Sequence, residues 1–214
     1  MEDKPKFEQR QRRPQQPRTR SSYQQHSQTR NVYAFIDSQN LNISIQEKGW
    51  KLDWTAFRRY MSEKYSVTKA FLFIGYIPGN ETMYSILQQQ GYILIFKPVV
   101  DASEGHVKGN IDAELVLRAM IEFKNYDAAI IVSGDGDFHA LIDYLDQNHK
   151  LACLIVPNRD RYSSLFKRFA EKTIFLSNLR KLLAYTPGPA KPRTGPSVSE
   201  SEPQKQPRAE PAKV

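Results

Sequence analysis

Four aspartates in this 214-residue chain stand where folding alone does not call for acids. Asp37 closes the apolar run "NVYAFID" and is followed by Ser38, Gln39 and Asn40. Asp135 and Asp137 stand two apart just beyond "DAAIIVSG", and Asp112 opens the run "DAELVLRAM". Taken singly, each has a structural explanation. Asp112 could complement a helix dipole, Asp137 could cap "FHALIDYL", and Asp37 could form an Asx-turn. Jointly they conflict if the first and fourth apolar strands lie side by side. Two carboxylates about 4 Å apart repel by about 1 kcal/mol in water and about 4 kcal/mol at an effective dielectric near 20. Several without a cation would raise their own pKa values or destabilise the fold. A divalent cation removes the conflict, and oxygen-only ligation suits Mg²⁺ or Mn²⁺. Such a site usually serves phosphate chemistry, activating water or neutralising charge on the phosphoryl group and the leaving oxygen.

Other chemistries find little support. No glycine loop of the GxxxxGK[ST] type exists, so NTP hydrolysis by a P-loop is not indicated. A phosphoaspartyl mechanism would want an acid two residues after a strand-end nucleophile, and Gln39 stands there. No Ser/His/Asp or Cys/His nucleophile arrangement is present. Of the four histidines, His26 lies in a polar tail and His149 near a helix end. His106 precedes Lys108 and could approach a phosphate, and His139 follows the acid pair and could rim a cleft. The single cysteine, Cys153, sits in "LACLIVP" and reads as a small core residue.

The elements that must position these acids alternate between strand and helix. "NVYAFID", "VTKAFLFIGYI", "YILIFKPVV", "YDAAIIVSG", "KLACLIVPN" and "TIFLSN" read as strands. Between them, "LDWTAFRRYMSEKY" (with Asp53 as N-cap), "ETMYSILQQQG", "IDAELVLRAMIEFKN", "FHALIDYLDQN" and "SSLFKRFAEK" read as helices. The strands are continuous apolar runs, so both faces should be covered, which predicts a parallel sheet between two helical layers. Ligands of such sheets bind beyond the carboxyl ends of strands at the topological switch point. Trp50 and Trp54 read as packing aromatics, and Tyr162 and Arg161 follow the fifth strand on the cleft side.

Charge is unevenly spread. Of the net +8, residues 1–30 carry +5 and residues 186–214 carry +2, so the middle is nearly neutral. Both ends are poor in aliphatic side chains and read as disordered, leaving a folded domain over 31–185. Basic arms attract polyanions through counterion release or simply keep a chain soluble. No stretch approaches about 20 apolar residues and no signal-peptide core is visible, so no membrane partner and a cytoplasmic setting are expected.

"FIDSQNL", "KGNIDAELVLRAM" and "VSGDGDF" occur in this order and spacing. Together they resemble the NYN domain, a branch of the PIN-like nuclease superfamily, over nearly all of 31–185. The resemblance implies a Rossmann-like three-layer α/β/α fold with a mainly parallel central sheet. It also implies an acidic cleft holding Mg²⁺ or Mn²⁺ and phosphodiester hydrolysis, most often of RNA, as in a metal-dependent endoribonuclease. Carried over by residue, Asp37 matches the first-strand acid and Asn40 its partner. Asp112 matches the acid after the loop lysine, here Lys108, and Asp135 and Asp137 match the acidic pair after the fourth strand.

The four aspartates are thus the expected metal ligands. Lys108, Arg118 and Arg161 are the expected RNA contacts, and Ser38, Glu114, Ser133 and His139 are accessory candidates. One departure stands out: the helix opened by Asp112 often carries a further acid six residues on, where this chain has Arg118. Arg118 could pair with Glu114, Glu114 could supply the absent carboxylate, or Arg118 could contact a phosphate. The departure keeps open an RNA-binding or scaffold protein of the same fold with little or no turnover. A homodimer is also left open.

Overall fold

A strand buried on both faces needs cover on both sides, and two strands here meet that condition in full. All six side chains of β1 (Val32–Asp37) and all five of β4 (Ala128–Val132) are buried. In the computed structural model, which describes residues 30–97 and 111–187, they lie side by side at the centre of a six-stranded sheet. The flanking basic and Pro-rich segments, and the loop carrying His106 and Lys108, lie outside the described residues. With β2 (Val67–Gly75), β3 (Tyr92–Lys97), β5 (Leu151–Val156) and β6 (Thr173–Phe175), the order is β3-β2-β1-β4-β5-β6, parallel throughout.

Alternate residues of the central strands feed two cores. On one face Ala34, Ile36 and Ile130 pack with Leu41 and Ile45 of α1 (Ser38–Gln46), Phe57 and Met61 of α2 (Trp54–Tyr65), and Leu183 of α6 (Arg180–Leu183). On the other, Phe35 and Ile131 pack with Leu115 of α4 (Ile111–Ile121) and with Leu141 and Leu145 of α5 (His139–Gln147). The remaining helix, α3 (Glu81–Gln89), sends Leu87 into the first core. The expected three-layer architecture is therefore the observed one. Trp54 meets Tyr92 edge to face at 5.5 Å, Trp50 is buried, and Cys153 is a core residue, all as expected. Asp53 caps α2 by accepting the Ala56 N–H at 2.9 Å, and Gly91 ends the α3 segment with φ +90°.

Two local readings change. The segment after Asp37, beginning Ser38, Gln39 and Asn40 and not among the helices expected from the sequence, is helix α1. Its apolar residues Leu41, Ile43 and Ile45 stand two apart, a strand-like spacing, and Ser and Asn are indifferent helix formers. The helix forms because Leu41 and Ile45, four apart, are fully buried while Ile43 is left half exposed. The segment Ser164–Lys172 is a pair of 3-10 turns broken at Phe169 rather than an α-helix. Its two buried anchors, Phe166 and Phe169, are three residues apart, the period at which 3-10 geometry stacks side chains on one face.

The strand order reverses between β1 and β4, whose register sets Phe35 against Ile131 and Ile36 against Val132. The crevice of a doubly wound sheet opens beyond the carboxyl ends of such a pair. No helix among the described residues is long and apolar enough to cross a membrane.

The fully buried Phe35 stacks on Phe71 with centroids 5.4 Å apart and planes within 6°. Phe35→Ala should cost about 3–5 kcal/mol of unfolding free energy, whereas Ile43→Ala, on an exposed helix face, should stay within about 0.5 kcal/mol. Urea titration followed by circular dichroism measures both.

Candidate active site

The crevice is floored by Asp37, the last residue of β1, whose side chain is buried. Its Oδ1 accepts the Asn40 backbone N–H at 3.0 Å and so caps α1. Its Oδ2 accepts from the Ser133 hydroxyl at 3.3 Å. Ser133, fully buried just after β4, accepts the Asp135 N–H on the same oxygen at 3.1 Å. The Asn40 side-chain Oδ1 accepts the Gly134 N–H at 2.9 Å. Two cross-links therefore fasten the start of α1 to the chain leaving β4, and they fix where the acid pair begins.

Beyond them the chain makes a 3-10 turn, Gly136–Phe138, and the cap is Asp135, whose Oδ1 accepts the Asp137 N–H at 3.1 Å. Asp137 does not cap α5, as its spacing had suggested. It is exposed and, with Asp112 from the first turn of α4, lines an open groove of about 470 Å³. The turn packs closely, since a Cβ on Gly136 would lie 2.6 Å from Ser163 Oγ and 3.1 Å from its Cβ, so a larger residue would have to displace Ser163. Ser163 itself donates its N–H to the Gly134 carbonyl at 3.0 Å.

The acids sense one another. Burial pushes the Asp37 carboxyl above its ordinary range; the charges of Asp112 and Asp135 add to this, while the bonds from Asn40 and Ser133 oppose it. Asp112 is likewise raised, first by burial and then by Asp135 and Asp137, with Lys97 pulling the other way. Asp37, Asp112, Asp135 and Asp137 thus lie within range of charge coupling beyond the ends of β1 and β4. They do not close into a cage: among the described residues, no three His, Cys, Asp or Glu side chains are drawn together tightly enough to enclose an ion. The all-oxygen donor set still fits a hard cation of the Mg²⁺ type, which takes one or two carboxylates and retains several waters.

The accessory candidates divide. Ser38, at the first position of α1, and Ser133 are buried beside Asp37. Asn40 has its carbonyl oxygen engaged by Gly134 and acts as a strut. His139 packs towards Phe169, with ring centroids 6.1 Å apart, on the side of α5 that meets the 3-10 turns. Arg118 pairs with Glu122 at 3.9 Å rather than with Glu114, and it stands about 9 Å along the helix from Asp112. Glu114, two residues past Asp112, stands about 200° from it around α4 and shares the face of Arg118. Arg161 forms an exposed ion pair with Glu47 at 2.7 Å, at the far end of α1. Tyr162 meets Phe175 edge to face at 5.4 Å.

One residue that bears on the site was missed, Lys97 at the end of β3, the described cation that offsets the charge on Asp112. The signal was available, because "YILIFK" is also an apolar run closed by a charge.

Known proteins share this fold. Residues 31–177 match the NYN domain. A curated relative, Low amplitude and bright protein LabA of Synechococcus elongatus, is 25% identical over 167 residues, spanning 72% of this chain and 88% of its own. A crystal structure of a Vibrio parahaemolyticus protein of unknown function shares the fold with a TM-score of 0.60 at 23% identity, covering 73% of this chain and 98% of that one. With the match running through every described strand of a PIN-like parallel sheet, the chain belongs to the NYN domain family.

Proposed function

We propose that this chain is a divalent-metal-dependent endoribonuclease whose site is the acid cluster between β1 and β4. Membership in the family points to a nuclease-like, RNA-related function, and nucleases of this kind generally use divalent ions. The observation that supports the finer reading is the charge coupling of Asp37, Asp112, Asp135 and Asp137 beyond adjacent strand ends. Acids facing a polyanion repel it, so RNA can approach only with a cation between them.

Asp37, Asp112, Asp135 and Asp137 would hold that cation, Mg²⁺ or Mn²⁺. Once bound, it would stabilise the charge that builds on a phosphodiester undergoing attack by water. Ser133 and Asn40 hold Asp37 and the Asp135 loop in place through the bonds described above. Lys97 would meet a phosphate oxygen at the edge of the cluster, and Lys108 would do the same from its loop. The domain would occupy 31–185, with the basic segments on either side adding sequence-independent attraction to RNA. The pairing of Arg118 with Glu122 leaves that side of α4 short of one acid, which favours slow turnover, or RNA binding without turnover, as the second reading.

Two measurements bear on the proposal. Purified protein with Mn²⁺ should cleave single-stranded RNA, and Asp135→Asn should lower the rate at least about 100-fold. Equal cleavage by both proteins would remove the site, and RNA binding with no cleavage by either would select the second reading. The other measurement uses the raised Asp37 carboxyl. Folded chain keeps that proton to higher pH than unfolded chain does, so stability falls as pH rises from the ordinary carboxylate value through the raised one. In chelator at about pH 7.5, Asp37→Asn should melt higher than the native chain, and the gap should shrink as pH falls towards about 4. Added Mn²⁺ should raise the melting temperature of the native chain more than that of Asp37→Asn, and equal shifts would count against metal at this residue.

A further inference from the structure

Two grooves flank the acids, and they differ in chemistry. The groove against α4 is lined by Asp112, Asp137 and aliphatic side chains, so it offers carboxylates and no neutral hydrogen-bonding side chain. The groove on the opposite side, between α1 and the chain leaving β2, has a volume of about 480 Å³ and a mixed wall. Gln39, Asn42 and Gln46 line it from α1, Tyr76 and Ile77 from the loop after β2, and Lys97 from β3. Ser38, next in the chain to Asp37, also reaches it. Lys97 lines this groove and its charge offsets that of Asp112, and Ser38 follows Asp37 in the chain, so the groove neighbours the acid cluster.

The wall is preformed. The Tyr84 hydroxyl accepts the Ile77 N–H at 2.8 Å and donates to the Gly75 carbonyl at 3.2 Å, which fixes the loop from within. The Tyr76 hydroxyl donates to Glu81 Oε1 at 2.9 Å, and the Gly79 N–H reaches the same oxygen at 3.1 Å. The Tyr76 ring is braced edge-on by Phe96 at 5.7 Å and lies tilted by 31° against Tyr84 at 5.8 Å, and it remains 37% exposed. Among the described residues, the side-chain amides of Gln39, Asn42 and Gln46 make no hydrogen bond. An exposed, immobilised aromatic ring facing amides that can both donate and accept is what an unpaired base requires, a stacking face and partners for its edge.

Resting on the reading of the acids as a site for RNA phosphate, we propose that this groove takes one unpaired nucleobase of the bound strand. It would thereby set which nucleotide lies beside the scissile phosphate. Tyr76 supplies the stacking face, Gln39 and Asn42 read the base edge, and Lys97 meets the phosphate between groove and acids. The groove volume falls within the range of small-ligand clefts, and three amides and a lysine set among Ile43, Ile77 and Met83 suit a nucleotide, apolar on its base face and polar at its edge and phosphate.

The test uses the full chain carrying Asp135→Asn, so that RNA is not consumed. Its affinity is measured by fluorescence anisotropy for labelled single-stranded oligonucleotides of U, C, A and G. Tyr76→Ala should weaken the preferred oligonucleotide roughly 5- to 150-fold, as loss of one stacked base does, and should flatten the differences among the four. Tyr76→Trp should restore them. Gln39→Ala and Asn42→Ala, on an exposed and a half-buried position of α1, should change the order of preference. In parallel, the same substitutions in the native background should shift cleavage positions on a mixed-sequence RNA. RNA cleavage or binding that keeps its base preference in Tyr76→Ala and Gln39→Ala would overturn the base pocket while leaving the nuclease reading intact. Base-selective binding lost in Tyr76→Ala, without cleavage by the native chain, would sustain the pocket and overturn turnover. Self-association lost in Tyr76→Ala, with RNA affinity unchanged, would assign the face to a second copy and overturn the pocket.

Discussion

A carboxylate taken out of water between two strands and a helix must be compensated locally, and the arrangement around Asp37 follows from that constraint. Its burial costs solvation, which the Asn40 N–H and the Ser133 hydroxyl return in part. Each of those partners is committed elsewhere as well. Asn40 is tied to Gly134 through its side chain, and Ser133 to the Asp135 N–H through its lone pair. The compensation of one acid thereby fixes the path on which the next two are carried. What remains is the mutual repulsion of the carboxyl groups, which Lys97 offsets in part at Asp112.

The scaffold contributes through its switch point. Because β1 and β4 are adjacent and parallel, their carboxyl ends open in the same direction, and the crossovers leave to opposite faces of the sheet. The acids thus arrive from both layers. Asp37 comes with α1, Asp112 with α4 and the Asp135 turn with α5. No single element could bring these groups together, which is why spacing along the sequence shows them only as isolated residues.

Much of this was readable beforehand, for identifiable reasons. Continuous burial of β1 and β4 follows from uninterrupted apolar runs, and the strand-end rule then locates Asp37 and Asp135. The readings that changed are those in which tertiary packing overrode local pattern. Helix α1 carries a strand-like spacing and is decided by the burial of Leu41 and Ile45. Phe166 and Phe169 impose a three-residue period on a stretch that otherwise suits an α-helix. Arg118 chose Glu122 over Glu114, the partner that helix spacing and orientation alone would favour. The struts Ser133 and Asn40 could not be assigned their partners without the fold, since each pairs with a residue more than ninety positions away.

That separation in the chain has a bearing on biosynthesis. The seam between β1 and β4 joins an amino-terminal half holding β1, β2 and β3 to a carboxyl-terminal half holding β4, β5 and β6. Ser133 trails Asp37 by 96 residues, so a nascent chain that ends before Ser133 contains neither the strut nor the Asp135 turn. Contacts of such long range also close late relative to local ones. The acid cluster therefore cannot assemble in a nascent chain that has not yet extended past Asp137.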